Sequence, residues 1–231
     1  TNQAGRLRVL DLGTEELLPP GPATGKIEDV ALQVSYVFLS EGVRGVEIVD
    51  ASDPRAPVIV AKISTPGAAT KVALSGSYAY VAMDSSGLGI YDIRDPARPM
   101  LLQIVGGMEK AQDVDICGSY AYIADTGNLR IVNVADPRSA YVKVSLPFTA
   151  PLPASSDGVH KIAVAGSRAA VDVQGLGVSI VDISLPERPS VIGAIPETAY
   201  ETDLVASGSY LFTTAARGYP PALRIVALKV Y

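Results

Sequence analysis

Apolar residues occur along this chain in short runs, and each run is ended by Gly, Pro, Asp or Ser. Runs of about four to seven apolar residues with such boundaries are typical of β-strands joined by tight turns. One pattern of runs begins at Asp29 and recurs at Lys71, Asp113 and Lys161, and a shorter copy begins at Asp203. Successive starts are 42, 42, 48 and 42 residues apart. A repeat of this length with four short strands predicts the blades of an all-β propeller.

The second repeat shows the predicted order of elements. Its four predicted strands are Val72–Leu74, Tyr78–Ala82, Leu88–Ile93 and Met100–Val105. The first turn contains Gly76, and glycine recurs at the same place in the later copies, as Gly118, Gly166 and Gly208. Glycine tolerates positive φ, so these positions predict tight hairpin turns in the left-handed region.

Counting strands predicts one propeller domain over residues 1–231, with blades at 29–70, 71–112, 113–160, 161–202 and 203–231. The last copy provides only three strands. An N-terminal segment at 6–20 adds two more, Leu7–Leu12 and Glu16–Leu18, which can complete the last blade and close the ring. The total is 21 strands, whereas five four-stranded blades need 20. Five blades with a surplus strand is the favoured prediction, and a six-bladed or incomplete ring stays open as the alternative.

Composition narrows the class of protein. Hydrophobic residues make up 48% of the chain and the mean hydropathy is +0.27, so there is enough apolar material for a core. No run approaches the roughly 18 apolar residues of a membrane helix. The net charge is −5 and the basic residues are scattered, which argues against nucleic-acid binding. Cys117 is the sole cysteine, so it has no intrachain disulfide partner.

The third-strand segments Val46–Asp50 and Val178–Asp182, with the upstream segment Gly76–Ala82, resemble the LVIVD repeat family. That family is found in surface and secreted proteins of bacteria and archaea. The resemblance implies a propeller at the cell surface or outside the cell, and it implies no shared catalytic residue. The chain begins at Thr1 without a methionine, which is expected of a mature or excised fragment.

Charged residues alternate in sign at the starts of the repeats: Asp29, Lys71, Asp113, Lys161 and Asp203. In a ring, these five positions line one mouth of the central channel, where opposite charges pair. If five blades close, the two aspartates at the ends of this series become neighbours, with Glu28 beside them. Three carboxylates suit a hard cation such as Ca²⁺. A solvated ring of charge pairs is the favoured alternative.

Three further residues are candidates for a binding rim at the same channel mouth: His160, Asp157 and Asp115. Asp157 belongs to a proline-containing insertion at 147–158, which accounts for the longer spacing of 48. Asp115 takes the place of the alanine found in other first strands, so its carboxylate needs a lysine or water as a partner. A lone histidine without a marked serine gives no catalytic triad.

Two classes of function follow. The first is a non-enzymatic extracellular or cell-surface propeller that acts as a scaffold, a protein-binding module or the subunit of a surface assembly or filament. Its partner is then another protein, or a second copy that pairs through an exposed edge strand. The second is a glycan- or metal-binding domain, less plausibly a hydrolase, that uses the channel mouth. No catalytic residue, cofactor or transmembrane segment is predicted.

Overall fold

The computed structural model describes residues 7–19, 21–22, 25–148, 159–173, 176–195, 201–208, 210–215 and 222–227. Throughout these ranges the regular elements are β-strands, 21 in number. This agrees with the strand count expected from the repeat. The chain divides into two compact units, residues 1–107 and residues 108–231. The expectation of a single domain over 1–231 stays a prediction.

The first unit begins with a two-stranded hairpin, β1 (Leu10–Asp11) and β2 (Glu16–Leu17). It continues with two four-stranded antiparallel sheets, each formed by consecutive strands. The first sheet contains β3 (Asp29–Gln33), β4 (Tyr36–Ser40), β5 (Val46–Asp50) and β6 (Val58–Ile63). The second contains β7 (Lys71–Ser75), β8 (Tyr78–Ala82), β9 (Leu88–Asp92) and β10 (Met100–Val105).

The second unit contains three sheets of the same antiparallel kind. Its first sheet is formed by β11 (Ala111–Cys117), β12 (Tyr120–Asp125), β13 (Asn128–Asn133) and β14 (Tyr141–Pro147). The next is formed by β15 (Val159–Ala165), β16 (Arg168–Val173), β17 (Gly177–Asp182) and β18 (Ser190–Ile195). The last described sheet has three strands, β19 (Glu201–Ser207), β20 (Tyr210–Ala215) and β21 (Ala222–Ala227).

The hairpin turns follow the predicted glycine chemistry. Gly76, Gly118, Gly166 and Gly208 have φ values of 56°, 58°, 57° and 56°. Each lies between the first and second strands of its sheet, where the chain reverses within two residues. The left-handed backbone required there is open to glycine at no steric cost. The prediction of glycine turns with positive φ is therefore confirmed at all four positions.

In the four-stranded sheets the middle strands carry most of the core, and the fourth strands are more exposed than the middle ones. All five residues of β9 are buried, whereas β10 is exposed at its first two positions. In the first unit one cluster joins Phe38 and Ile48 of the first sheet to Val72 and Val81 of the second. In the second unit a cluster joins Tyr122 and Ile131 to Ile162 and Val171. Consecutive sheets within each unit therefore pack face to face.

The N-terminal segment forms a hairpin rather than separate strands. Backbone amides of Leu18 and Gly21 donate to the carbonyl oxygens of Val9 and Leu7, so pairing extends beyond the two short strands. Leu7 also packs beside the buried Val37. The predicted strand Leu7–Leu12 is thus shorter than expected, because the four-residue turn that follows Asp11 takes up its end. Its predicted pairing with the last blade stays a prediction.

Candidate functional site

The five charged positions predicted for the channel mouth lie in the first strands of the five sheets. Asp29 and Lys71 begin β3 and β7, but Asp113, Lys161 and Asp203 lie at the third positions of β11, β15 and β19. The sequence analysis placed all five just before the strands. The three exceptions arise because each of these strands contains a bulge, which adds a residue and lets pairing start earlier.

In the first unit, the carboxylate of Asp29 binds the start of the next first strand with both oxygens. Oδ1 lies 3.1 Å from Nζ of Lys71. Oδ2 accepts a hydrogen bond of 3.1 Å from the backbone amide of Val72. Four residues further along β3, Nε2 of Gln33 donates to the carbonyl oxygen of Gly76 at 2.6 Å. The first strands of these two sheets are therefore linked by side chain to backbone at both ends.

The second unit repeats this arrangement with two aspartates. Oδ2 of Asp113 accepts from the amide of Ile162 at 3.1 Å, and Oδ2 of Asp115 accepts from the amide of Val164 at 2.7 Å. The other oxygen of each aspartate accepts the amide of its own following residue. The thiol of Cys117 donates to the carbonyl oxygen of Gly166, with an S···O distance of 3.6 Å. Backbone amides are thus partners of the Asp115 carboxylate. The lysine or water partner expected from the sequence stays a prediction.

These contacts obey one rule. Five first-strand side chains each bond the backbone one position beyond their own repeat equivalent on the next first strand, with sequence separations of 43 in the first unit and 49 in the second: Asp29, Gln33, Asp113, Asp115 and Cys117. The amides concerned lie on the outer edge of a first strand, where the sheet supplies no carbonyl. A carboxylate on the first strand of the preceding sheet accepts their hydrogen bonds. The repeated carboxylates are therefore part of how consecutive sheets are joined.

Each of the predicted metal ligands has a described partner within its own unit. Oε1 of Glu28 lies 2.9 Å from Nζ of Lys26, and Asp29 holds the contacts described above. Asp203 belongs to the other unit, is exposed, and accepts the amide of Leu204 at 3.0 Å. Among the residues described, no group of three or more His, Cys, Asp or Glu side chains is arranged to hold a metal ion. The three-carboxylate Ca²⁺ site stays a prediction.

Of the predicted binding rim, the structure places His160 and Asp115 and not Asp157, which falls outside the described residues. Nδ1 of His160 lies 2.9 Å from Oε1 of Gln112, on the neighbouring first strand. Asp115 and His160 thus contribute to the same pair of strands, β11 and β15. Both side chains are half-buried. The use of these residues as a binding rim stays a prediction.

The sequence analysis missed a buried ion pair at the end of the second strand in the third sheet. Asp125 is fully buried, and its Oδ2 accepts from Nε of Arg130 at 2.7 Å. Its Oδ1 accepts the amides of Glu109 and Lys110, at 2.9 and 2.8 Å, and so fixes the segment that enters the sheet. The equivalent residue of the second sheet is the buried Met83. The same column holds Glu41 in the first sheet and Val173 in the fourth, so two carboxylates in an otherwise apolar column were the available signal.

The first sheet has a related cluster of four charges. Glu41 and Glu47 are both buried. Nζ of Lys62 lies 3.1 Å from Glu47 Oε1, and Nε of Arg44 lies 3.1 Å from Glu41 Oε2. Two carboxylates with two cations balance in charge, so this cluster is a structural network.

A cleft of about 260 Å³ opens in the first unit, where the first two sheets meet. It is lined by Gln33, Val34, Tyr36, Phe38 and Arg94, among others. Arg94 is held by the Asp92 carboxylate, with a contact of 2.6 Å between Nη2 and Oδ2. The cleft is smaller than the pockets that usually enclose a drug-sized ligand.

Four consecutive segments of the chain match the model of the LVIVD repeat: residues 24–65, 66–106, 108–146 and 158–195. Together they cover well over half of the sequence. The chain belongs to the LVIVD repeat family. The boundaries fall at the same places as the first four sheets, so each matched repeat corresponds to one four-stranded sheet. The resemblance seen in the sequence is confirmed. No curated protein matches the sequence.

Solved structures with a similar fold include the β-propeller domain of Cps50 (Swd1) from Myceliophteria thermophila, with a TM-score of 0.75 and 12% identity over 97% of this chain and 80% of that one. U3-55K has a TM-score of 0.74 and 10% identity, over 91% and 67%. The designed protein Ika8 has a TM-score of 0.66 and 10% identity, over 93% and 63%. The LVIVD chain thus spans about two thirds of the length of two of these propellers. At such identities the likeness shows the fold alone.

The fold class is therefore a β-propeller, as the repeat predicted. The five sheets that follow the N-terminal hairpin of the LVIVD chain agree with the predicted count of five blades, which is otherwise untested. Closure of the ring by the N-terminal hairpin stays a prediction. Among the described residues, no helix is long and apolar enough to cross a membrane.

Proposed function

We propose that this LVIVD-repeat propeller is a non-enzymatic interaction module of the cell surface, serving as a scaffold or as the protein-binding subunit of a surface assembly. The propeller fold supports the coarser part of this statement, an interaction or scaffold role. Propellers present rigid loops and faces to partners, and many do so without catalysing a reaction.

One observation carries the non-enzymatic part of the proposal. The carboxylates of Asp113 and Asp115, two of the charged groups predicted at the channel mouth, each accept two backbone amides. Because each oxygen holds a backbone amide, each of these side chains is fixed as a link between sheets and is not a mobile acid or base. The function then depends on the outer surfaces of the sheets.

The surface location rests on the family resemblance. Protease treatment of intact cells that produce the protein tests it directly. Loss of the protein on treatment of intact cells, while a cytoplasmic marker survives, supports the proposal. Protection until the cells are lysed contradicts the surface location.

A calcium titration tests the alternative use of the channel mouth. The melting temperature is measured in EDTA and in about 5 mM Ca²⁺, above the dissociation constants of extracellular calcium modules. The proposal expects no shift. A rise that disappears in the double variant D29N/D203N would show that the predicted site of Asp29, Asp203 and Glu28 binds the ion, and would contradict a purely structural role for these residues.

A further inference from the structure

The cleft between the first two sheets lies at the end of β3 opposite to Asp29. That residue begins the strand, whereas Gln33 and Val34, which line the cleft, stand where β3 ends and the chain turns into β4. The second sheet contributes Arg94 and the turn between β7 and β8. All of these residues belong to the first unit, residues 1–107, so the cleft is a feature of that unit by itself.

Three of the lining residues depart from the repeat. Gln33 is replaced by Ser, Cys, Ala and Ser in the later copies, and Val34 is replaced by glycine in all of them. The amide of Arg94 donates to the carboxylate of Asp92, and the residues that make the same turn in the other four-stranded sheets are Ser52, Ala135 and Ser184. The repeated sheets thus form without a glutamine, a valine or an arginine at these places, which points to a role other than folding.

Two of these residues are held at a cost. Val34 is β-branched, yet its φ is 55°, and it is 91% exposed, so packing does not offset the backbone strain. Nε2 of Gln33 donates to the carbonyl oxygen of Gly76 at 2.6 Å, whereas its Oε1 is buried with no hydrogen-bond donor among the described residues. An unpaired buried acceptor also costs stability. Costs concentrated in adjacent residues at one cleft are typical of a binding site.

The lining indicates the chemistry of the ligand. Most of the side chains are apolar or aromatic: Val34, Tyr36, Phe38, Ile93 and Pro96. A protein cavity of about 150 Å³ accepts benzene. The cleft, at about 260 Å³, therefore has room for one aromatic ring and the peptide group beside it.

Arg94 gives the cleft a fixed polar group. The Asp92 carboxylate binds Nε at 3.0 Å and Nη2 at 2.6 Å, while the Arg94 side chain is 68% exposed. These contacts fix the plane of the guanidinium and use neither N–H of Nη1. Because Asp92 neutralises the positive charge, the remaining donors suit a neutral acceptor, such as a peptide carbonyl, better than a carboxylate. A fixed guanidinium also presents a flat face to an aromatic ring.

We propose that this cleft binds an aromatic side chain of a partner protein, with Arg94 donating to the adjacent peptide carbonyl. The inference rests on the interaction role proposed above and names the kind of residue that the partner provides. Aromatic residues that fill small pockets often dominate the free energy of protein–protein binding. A sugar ring of similar size would need several hydrogen bonds, and the walls of this cleft are largely apolar.

The probe is N-acetyl-L-phenylalaninamide, which has the aromatic ring and neutral peptide groups. It is titrated into the full chain to about 20 mM and followed by amide NMR. We expect saturable shifts of the amides of Val34, Gly76 and Ser77, with a dissociation constant on the order of 1 mM. N-acetyl-L-phenylalanine has a carboxylate in place of the terminal amide and should bind more weakly. Tighter binding of the carboxylate would overturn the proposed role of Arg94.

Val34→Gly and Val43→Gly are matched variants. Both valines lie in turns of the first sheet and are 91% and 88% exposed, but only Val34 lines the cleft. We expect V34G to weaken probe binding at least about fivefold, because it removes part of the apolar wall, and to raise the melting temperature, because it relieves the strain. V43G should leave probe binding unchanged. Weaker binding in both variants, or in neither, would overturn the proposal.

Two other results would also overturn it. One is the absence of saturable shifts up to about 20 mM probe. The other is tighter binding of methyl α-glucoside than of the phenylalanine amide, which would assign the cleft to a sugar. Neither result changes the surface location, which the protease experiment measures separately. A surface protein whose cleft binds no aromatic probe keeps its interaction role and loses only this site.

Discussion

The carboxylate of Asp115 and the backbone amide of Val164 are joined by a hydrogen bond of 2.7 Å between the first strands of two consecutive sheets. The same offset recurs from Asp113 to Ile162 and, in the other unit, from Asp29 to Val72. Sheets of this protein are thus held together by polar contacts at the first strands as well as by the apolar clusters between their faces. Removing either kind of contact should therefore lower the free energy of unfolding.

Asp115→Ala should lower the free energy of unfolding by about 1–3 kcal/mol, since the amides of Val164 and Ile116 lose their acceptor. Asp115→Asn keeps one acceptor oxygen and should cost less. Urea unfolding followed by circular dichroism measures both variants. An alanine variant as stable as the parent chain would show that water replaces the carboxylate, and the proposed joint between sheets would carry no stability.

Val34→Gly should raise the free energy of unfolding by about 1 kcal/mol, because glycine adopts the left-handed turn without strain. The reciprocal change, Gly118→Val, places valine at the same φ in the third sheet, where an added Cβ would meet no atom within 4 Å. It should destabilise by a similar amount through backbone strain alone. Thermal denaturation of the two variants gives shifts of opposite sign. Equal signs would contradict the strain argument.

Asp125→Met should cost about 3–5 kcal/mol, since it removes one partner of a buried ion pair and leaves the Arg130 guanidinium uncompensated. In the second sheet the equivalent positions are apolar: Met83 replaces Asp125, Gly89 replaces Arg130, and the Met83 side chain lies over Gly89. The double variant D125M/R130G copies it and should be more stable than D125M by at least about 1 kcal/mol. A double variant less stable than the single one would show that Arg130 stabilises the fold independently of Asp125.

Burial raises the pKa of Tyr122 to about 12, whereas an exposed tyrosine titrates near 10. Between these values the unfolded chain loses the phenolic proton and the folded chain keeps it, so the stability of the fold should fall as pH rises from about 10 to about 12. Tyr122→Phe should be less sensitive to pH across that window, once its own stability at pH 7 is subtracted. Parallel curves for the two proteins would contradict this assignment.

Much of the fold follows from local chemistry. Apolar runs of strand length, glycines at turns that require positive φ, and the near-constant stride predicted the five sheets, their strand order and the 21 strands. The strand ends were less predictable. Bulges in β11, β15 and β19 add a residue to the pairing, and nothing in the local composition marks them.

For the candidate site, the sequence predicted less than the structure shows. The alternating charges from Asp29 to Asp203 were visible in the sequence, and the expected pairing of opposite charges occurs between Asp29 and Lys71. The backbone amides that these carboxylates also accept were not visible, because a sequence pattern places charges along a strand and does not show which edge amides lack a partner. The ion pair of Asp125 and Arg130 was missed because the sequence does not show that Asp125 is buried in the third sheet, nor that Arg130 lies beside it.

What the sequence determined by itself is the repeat: strands, turns and the order in which neighbouring sheets follow one another. These are properties of segments a few residues long, and each is encoded where it occurs. Only the tertiary structure decided which side chains join consecutive sheets and which apolar residues are left uncovered. Val30 and Val72 occupy the same place in their repeats, yet Val30 is 57% exposed and Val72 is buried at 2%, because Val72 packs against Phe38 of the preceding sheet.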